Sequence, residues 1–341
     1  MNDCDICSKD PDLDHLYEEI SGRKNESIFP FLRRSFKETC RRIAEPSRAT
    51  YDSRDLKFIP EIGPCNMRTF QHELIEFDIT SRGLNLHCAL WKARTTDAPS
   101  TVKNSASGIP CIIYTHTNTR SLADATELQP LAARTGFHVI AFDMPGAGKS
   151  SGALSASCAA VIDHLSDIIK WAESHLNTTE VMMWARGMST AAAIEYTCTS
   201  ITRGYRKEMI KFLVLDTPYC SVKEVVDGVI KKYREKTALA VVSPLFYACA
   251  MMFGREVTSN LGTDIYAVKP INSARLNKTP CLILCATNDD FIPPSHSDCF
   301  VRLWGGPVNM VSMSGTHYSR RSRDDVLAAA SHIRRYIPGS C

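Results

Sequence analysis

The stretch whose residue types and spacing come nearest to chemistry is Val181-Met182-Met183-Trp184-Ala185-Arg186-Gly187-Met188-Ser189-Thr190-Ala191-Ala192-Ala193. An apolar run, a turn of small residues and an alanine-rich tract follow one another. Together they describe a buried parallel strand that enters a helix through a sharp bend. Hydrolytic enzymes raise a nucleophilic serine at such a bend, and the residues two places before and after it must be small for strand and helix to approach closely. Here those three positions hold Ala185, Gly187 and Ser189. Gly187 has no side chain and cannot attack a carbonyl, although glycine tolerates the strained backbone of the bend. The shape of a nucleophile elbow is present without its serine.

Moving the register by two residues gives Gly187-Met188-Ser189-Thr190-Ala191, with Ser189 as an alternative nucleophile. That register carries the strand through Arg186. A charge is expected to be excluded from a strand buried between helices, which counts against the shift.

The totals limit what the site can serve. The chain has 341 residues, 44% hydrophobic and 23% charged, enough to bury a large core. A net charge of +3 is too mild to argue for nucleic acid or an anionic membrane. Fourteen cysteines are scattered singly, several in apolar runs (Cys88, Cys111, Cys281, Cys285), and are expected to be reduced thiols behaving as small hydrophobes. The start, Met1-Asn2-Asp3-Cys4-Asp5, has neither a basic nor an apolar region, so a cytoplasmic location is expected. Cys4 and Cys7 form a lone C-x-x-C with no second pair at zinc-like spacing. Two incidental cysteines are preferred to half a metal site, and no metal or cofactor is expected.

Residues 1–50 are polar, with short apolar pieces, and are expected to form an extension packed on a single domain spanning 51–341. Phe70–Thr80 and Leu84–Ala93 alternate apolar and polar around Ser81-Arg82-Gly83, a hairpin signal. From Pro110 the pattern changes to short apolar strands (Cys111–Tyr114, His138–Asp143, Val181–Trp184, Phe212–Asp216, Cys281–Cys285, Met310–Met313). Helices are expected between and after them at Ala123–Arg134, Ala156–His175, Ser189–Thr199 and Asp324–Tyr336. This predicts an α/β fold, a mostly parallel sheet covered on both faces and preceded by an antiparallel hairpin. Residues 221–278 form an insertion expected to be a helical cap. Its uncharged run Thr237–Gly254 contains Pro244, which favours a pair of buried cap helices over membrane insertion.

From Tyr51 to Pro338 the chain resembles the α/β-hydrolase superfamily, and within it the protist-type serine-aminopeptidase-like branch. Six motifs carry the likeness in the family's order. Tyr114-Thr115-His116-Thr117-Asn118 is similar to its L-H-G-N strand end, and Phe142-Asp143-Met144-Pro145-Gly146-Ala147-Gly148-Lys149-Ser150 to its F-D-x-x-G-x-G-x-S turn. Trp184 to Ser189 resembles W-G-R-S-M-G, and Leu215-Asp216-Thr217-Pro218 resembles L-D-S-P. Asn288 to Ser297 resembles the acid loop D-D-x-I-P-x-x-H-S, and Gly315-Thr316-His317 the G-x-H of the histidine loop.

The resemblance implies Asp289 as the acid, His317 as the general base and Gly187 at the nucleophile position. It implies an oxyanion hole from the amides of Met188 and Asn118, degraded by Thr117 where glycine is usual. His296 shares the acid loop and is expected to be structural. The match of Trp184, Arg186 and Met188 to W-x-R-x-M further opposes the shifted register. The ancestral chemistry implied is serine hydrolysis of esters, thioesters or amides, and the present chain is expected to be impaired and to act by binding. A small-molecule, acyl or peptide ligand under the cap is expected, in a pocket enlarged by the side chain missing at Gly187. The rival readings are a serine hydrolase using Ser189 and water activation by the His317–Asp289 dyad.

Overall fold

In the computed structural model the described residues are 48–57, 72–93, 108–117, 119–153, 158–198, 205–236, 255, 264–333 and 335–337. The expectations for residues 1–47, with Cys4 and Cys7, for Asn118 and for the apolar cap run 237–254 lie outside the described residues.

The hairpin is β1 (Glu73–Ser81) and β2 (Leu84–Lys92), closed by Arg82 and Gly83, both at positive φ. Two consecutive left-handed residues give the turn a twist that matches the twist of the flanking strands. Six further strands follow: β3 (Cys111–Thr115), β4 (His138–Phe142), β5 (Val181–Arg186), β6 (Ile210–Asp216), β7 (Cys281–Ala286) and β8 (Val308–Met313). The sheet order is β1-β2-β4-β3-β5-β6-β7-β8, with β2 antiparallel to both neighbours and every pair from β4 to β8 parallel. Strands β3, β4, β5 and β7 are buried at every residue, because helices cover both faces.

The expected first helix divides in two. A 3-10 segment, Leu122–Leu128, is capped by the Ser121 hydroxyl and passes into α1 (Gln129–Thr135), which has Pro130 in its first turn and stops at the left-handed Gly136. Then come α2 (Cys158–Leu176), α3 (Ser189–Cys198), α4 (Val222–Lys236), α5 (Pro270–Ala274), α6 (Pro294–Leu303) and α7 (Arg323–Ile333). Two expectations need correction. The residues read as one acid loop, 288–297, are a short loop followed by the start of α6, because Pro293 and Pro294 suit a helix N-terminus. Strand β5 runs two residues beyond Trp184 and includes Arg186.

One turn holds the carboxyl ends of β3 and β4 together. Asp143 accepts from the Leu122 amide at 2.8 Å, the Lys149 amide at 2.8 Å and the Tyr51 hydroxyl at 2.7 Å. Arg48 donates to the carbonyls of Ser150 and Gly152, so residues 48–51 pack on this turn. His116 spans the gap beside it, taking the Met144 amide on Nε2 at 3.0 Å and donating from Nδ1 to the Thr117 carbonyl at 2.6 Å. Burial keeps that ring neutral, lowering its pKa against the pull of Asp143.

Gly148 sits at φ +45, and a Cβ there would run into the Asp143 carboxylate. Gly148→Ala is therefore expected to destabilise the protein by about 2–4 kcal/mol. Gly228→Ala in α4, where a Cβ meets nothing within 4 Å, is expected to stabilise by up to about 1 kcal/mol. Urea unfolding midpoints of the two variants check both signs.

Candidate active site

Strands β5, β7 and β8 end at the same edge of the sheet, with β6 between the first two, and the loops that leave them bring together three residues far apart in the chain. After β5 comes Gly187, at φ +56, whose amide donates to the Asp216 carbonyl at 2.8 Å. After β7 comes Asp289, whose Oδ1 accepts the amides of Phe291 at 2.9 Å and Ile292 at 2.7 Å. After β8 comes Gly315, at φ +107, and then His317. His317 Nδ1 and Asp289 Oδ2 are 2.8 Å apart, and both residues are buried. With the Nδ1 proton donated to the carboxylate, the Nε2 lone pair is turned outward.

That lone pair faces Gly187. A Cβ built on Gly187 would stand 3.3 Å from His317 Nε2, so a side chain at this position would be directed at the imidazole. The same Cβ would stand 2.7 Å from Thr117 Oγ1 and 3.1 Å from Thr117 Cβ. The space freed by the missing side chain is thus already occupied. This corrects the expectation of an enlarged pocket at this point, because Thr117, standing where the resemblance expects glycine, fills it.

Ser189 points elsewhere. Its buried hydroxyl lies 2.9 Å from the Thr115 carbonyl, 2.9 Å from the Arg186 carbonyl, 3.0 Å from Thr115 Oγ1 and 3.0 Å from the Arg186 amide. These partners tie the start of α3 to the ends of β3 and β5. The Met188 amide lies immediately before α3, where amides have no acceptor within the helix, while Asn118 is outside the described residues. His296 accepts the Cys220 amide on Nδ1 at 3.1 Å, away from the dyad.

A buried charge cluster lies beneath the histidine loop. Arg186 donates to Glu127 at 3.3 Å and to the carbonyls of His317 at 3.2 Å and Ser319 at 2.5 Å, and its Nε is 3.9 Å from Asp216. Arg321 holds Asp216 through Nη2 at 2.6 Å and Nε at 2.9 Å. Its amide donates to Glu127 at 3.1 Å, and its Nη1 to the carbonyls of Thr316 and Ser319. Burial raises the Asp216 pKa, but the two guanidiniums outweigh it and the net shift is downward. At Glu127 burial dominates over Arg186 and pushes the carboxyl up to about 7. The exclusion of Arg186 from a buried strand fails for this reason: the residue is 1% exposed but has its anions with it. Gly187 faces His317, whereas the Ser189 hydroxyl faces the backbone of β3 and β5. Sequence reasoning did not find Glu127 or Arg321, and the only local signal was the Arg320-Arg321 pair just after the histidine.

Residues 110–246 match the family model described as the alpha/beta hydrolase fold. With the strand order above, this makes the chain an α/β-hydrolase-fold protein. It shows weak homology to lysophosphatidylserine lipase ABHD12. The Danio rerio protein is 25% identical over 138 residues, 40% of this chain and 35% of that relative. The Gallus gallus protein is 29% identical over 141 residues, again 40% and 35%. The alignments therefore span about a third of those relatives' length. Among solved structures, an esterase from Pyrococcus furiosus superposes with a TM-score of 0.57 at 15% identity, covering 86% of this chain and 97% of that one. The ferulic-acid complex of Est1E from Butyrivibrio proteoclasticus gives 0.52 at 16% identity, covering 76% and 98%. At these identities the likeness is one of fold. Among the described residues no helix is long and apolar enough to cross a membrane.

Removing one partner of the charge cluster leaves the others buried and unpaired, so Arg186→Met is expected to cost about 3–5 kcal/mol in urea unfolding. Glu127 gives the cluster a pH dependence of defined sign. Its raised pKa means the native state binds the proton more tightly, so its contribution to stability is complete below the unfolded pKa of 4.5 and is lost as pH rises through about 7. Unfolding midpoints measured from about pH 5 to about pH 8 should fall more for the native chain than for Glu127→Gln.

Proposed function

We propose that this protein binds a carbonyl-bearing small molecule, an ester, thioester or amide, at the Gly187–His317 face without forming an acyl-enzyme. The observation that carries this reading is the Gly187 Cβ direction. The point from which a nucleophile would reach His317 Nε2 belongs to a residue with no side chain, and Thr117 occupies the room around it. The covalent route of serine hydrolases needs a nucleophile there. Ser189 is directed to the backbone of β3 and β5, which supports leaving it out of the chemistry.

The rest of the site suits a ligand carbonyl. His317 offers Nε2, and the Met188 amide at the start of α3 has the position of an oxyanion donor, with Asn118 expected as the second. Phe291, 43% exposed, and Tyr318, 44% exposed, flank the imidazole with ring centroids 5.2 and 4.8 Å from it, and give an apolar or aromatic group a surface to pack on. The lipase and esterase relatives are consistent with an acyl ligand. Ancestry in the serine-aminopeptidase-like branch, with serine replaced by glycine, belongs to the same proposal. A second reading, water activated by His317 and Asp289, is favoured by the outward Nε2 lone pair alone.

Thr117 makes the test specific. The native chain is expected to show no labelling by a serine-directed phosphonate and negligible turnover of short esters. Gly187→Ser alone places its Cβ 2.7 Å from Thr117 Oγ1 and is expected to stay unlabelled or to react poorly. Thr117→Gly with Gly187→Ser removes that overlap. The double variant is expected to be labelled and to hydrolyse esters, with a loss of about 10³-fold or more on adding His317→Ala. Labelling of the native chain at Ser189 would sink the proposal. Native ester turnover that vanished in His317→Ala would select water activation instead.

A further inference from the structure

A second group of reactive side chains lies at the neck of the cap insertion and has no part in the site above. Cys220 follows β6, Glu224 lies in the first turn of α4, and His296 and Cys299 are one turn apart on α6. One ligand atom from each of Cys220, Glu224 and His296 falls within 4.8 Å of the other two. The Cys220 thiol donates to the His296 carbonyl at 3.6 Å, and the Cys299 thiol is its neighbour. We propose that Cys220, Glu224, His296 and Cys299 form a binding site for a soft divalent cation of the zinc class.

Two thiols, an imidazole and a carboxylate are the donor types zinc takes in a four-coordinate site, and thiolates select against magnesium and calcium. The imidazole has the protonation a metal needs. The Cys220 amide donates to His296 Nδ1, so the Nδ1 lone pair faces Cys220, and burial holds the ring neutral. Metal at Nδ1 displaces that amide, which is then placed to donate to a thiolate. Arg302 donates to Cys299 Sγ at 3.3 Å. Glu224 is exposed and gives the ion a path in, while the Ser221 hydroxyl donates to its Oε1 at 3.0 Å. Tetrahedral zinc places donor atoms about 3.5 Å apart, so the three atoms, within 4.8 Å of one another, draw together on binding.

The position gives such an ion a role. Cys220 and Val222 hydrogen-bond the returning chain, through the Ile271 amide to the Cys220 carbonyl at 3.4 Å and the Val222 amide to the Val268 carbonyl at 3.2 Å. The ion therefore fastens both strands of the cap's neck to α6, which begins five residues after Asp289.

The test uses the full chain carrying Cys4→Ser and Cys7→Ser, so that the N-terminal pair contributes nothing, reduced and freed of metal by a chelator. Titration with Co(II) is expected to show one equivalent bound, with a thiolate-to-cobalt charge-transfer band and the intense visible bands of tetrahedral cobalt. Zn(II) is expected to displace the cobalt and raise the melting temperature. Cys220→Ser and His296→Asn should lose the bands, Glu224→Gln should weaken binding by about tenfold or more, and Cys198→Ser should leave it unchanged. Glu224→Gln alters an exposed side chain and keeps the test decisive if the buried variants do not fold. Absence of the bands in the parent chain overturns the proposal, as does their persistence in Cys220→Ser. Loss of two hydrogens across Cys220 and Cys299 in place of metal uptake also overturns it.

Discussion

Arg186 is the constraint around which the site is built. A guanidinium at the end of a central strand is tolerable only if anions and carbonyls are delivered to it, and each comes from a different part of the chain: Glu127 before α1, Asp216 at the end of β6, and the carbonyls of His317 and Ser319 after β8. Satisfying this one charge fixes where those elements meet. Arg321 doubles the arrangement by bonding Asp216 and Glu127 from the histidine loop itself. The loop carrying His317 is therefore held from below by two buried cations. The orientation of its imidazole is completed from the side by Asp289, which the amides of Phe291 and Ile292 hold in turn.

Against that rigid support, the changes around the elbow form a coupled set. Gly187 has no side chain, and Thr117 places its side chain beside the same point. Ser189 adds a hydroxyl where the resemblance expects glycine, and that hydroxyl joins the Arg186 amide to the end of β3. A cavity at Gly187 would have cost packing contacts on every side, whereas these substitutions keep the interior filled.

The sheet was legible in the sequence because its signals are local. A fully apolar five-residue run between turn residues has few alternatives to a buried strand, and Arg82-Gly83 between alternating segments has few alternatives to a two-residue hairpin turn. Arg186 was misjudged because what permits its burial is not local: Glu127 lies 59 residues away and the His317 carbonyl 131 residues away. Thr117 illustrates a different limit. Its identity signalled a departure from a glycine pattern, but only the backbone geometry of Gly187 shows that the departure fills the space beside the elbow. The helix α6 was hidden because Pro293 and Pro294 look like loop residues until their place at a helix N-terminus is known.

A well-formed His–Asp pair is often taken as evidence of catalysis, yet here its geometry has a second cause. The carbonyl of His317 is a ligand of Arg186, and the neighbouring carbonyls of Thr316 and Ser319 are ligands of Arg321. Moving the loop would take its carbonyls from Arg186 and Arg321 from the buried Asp216, at a cost of several kcal/mol, comparable with the whole stability of an ordinary domain. The imidazole is thus kept against Gly187 by the needs of the core, whatever happens to chemistry at the elbow. The place of the dyad beside Gly187 is set by a fold whose interior and whose site share the same charges.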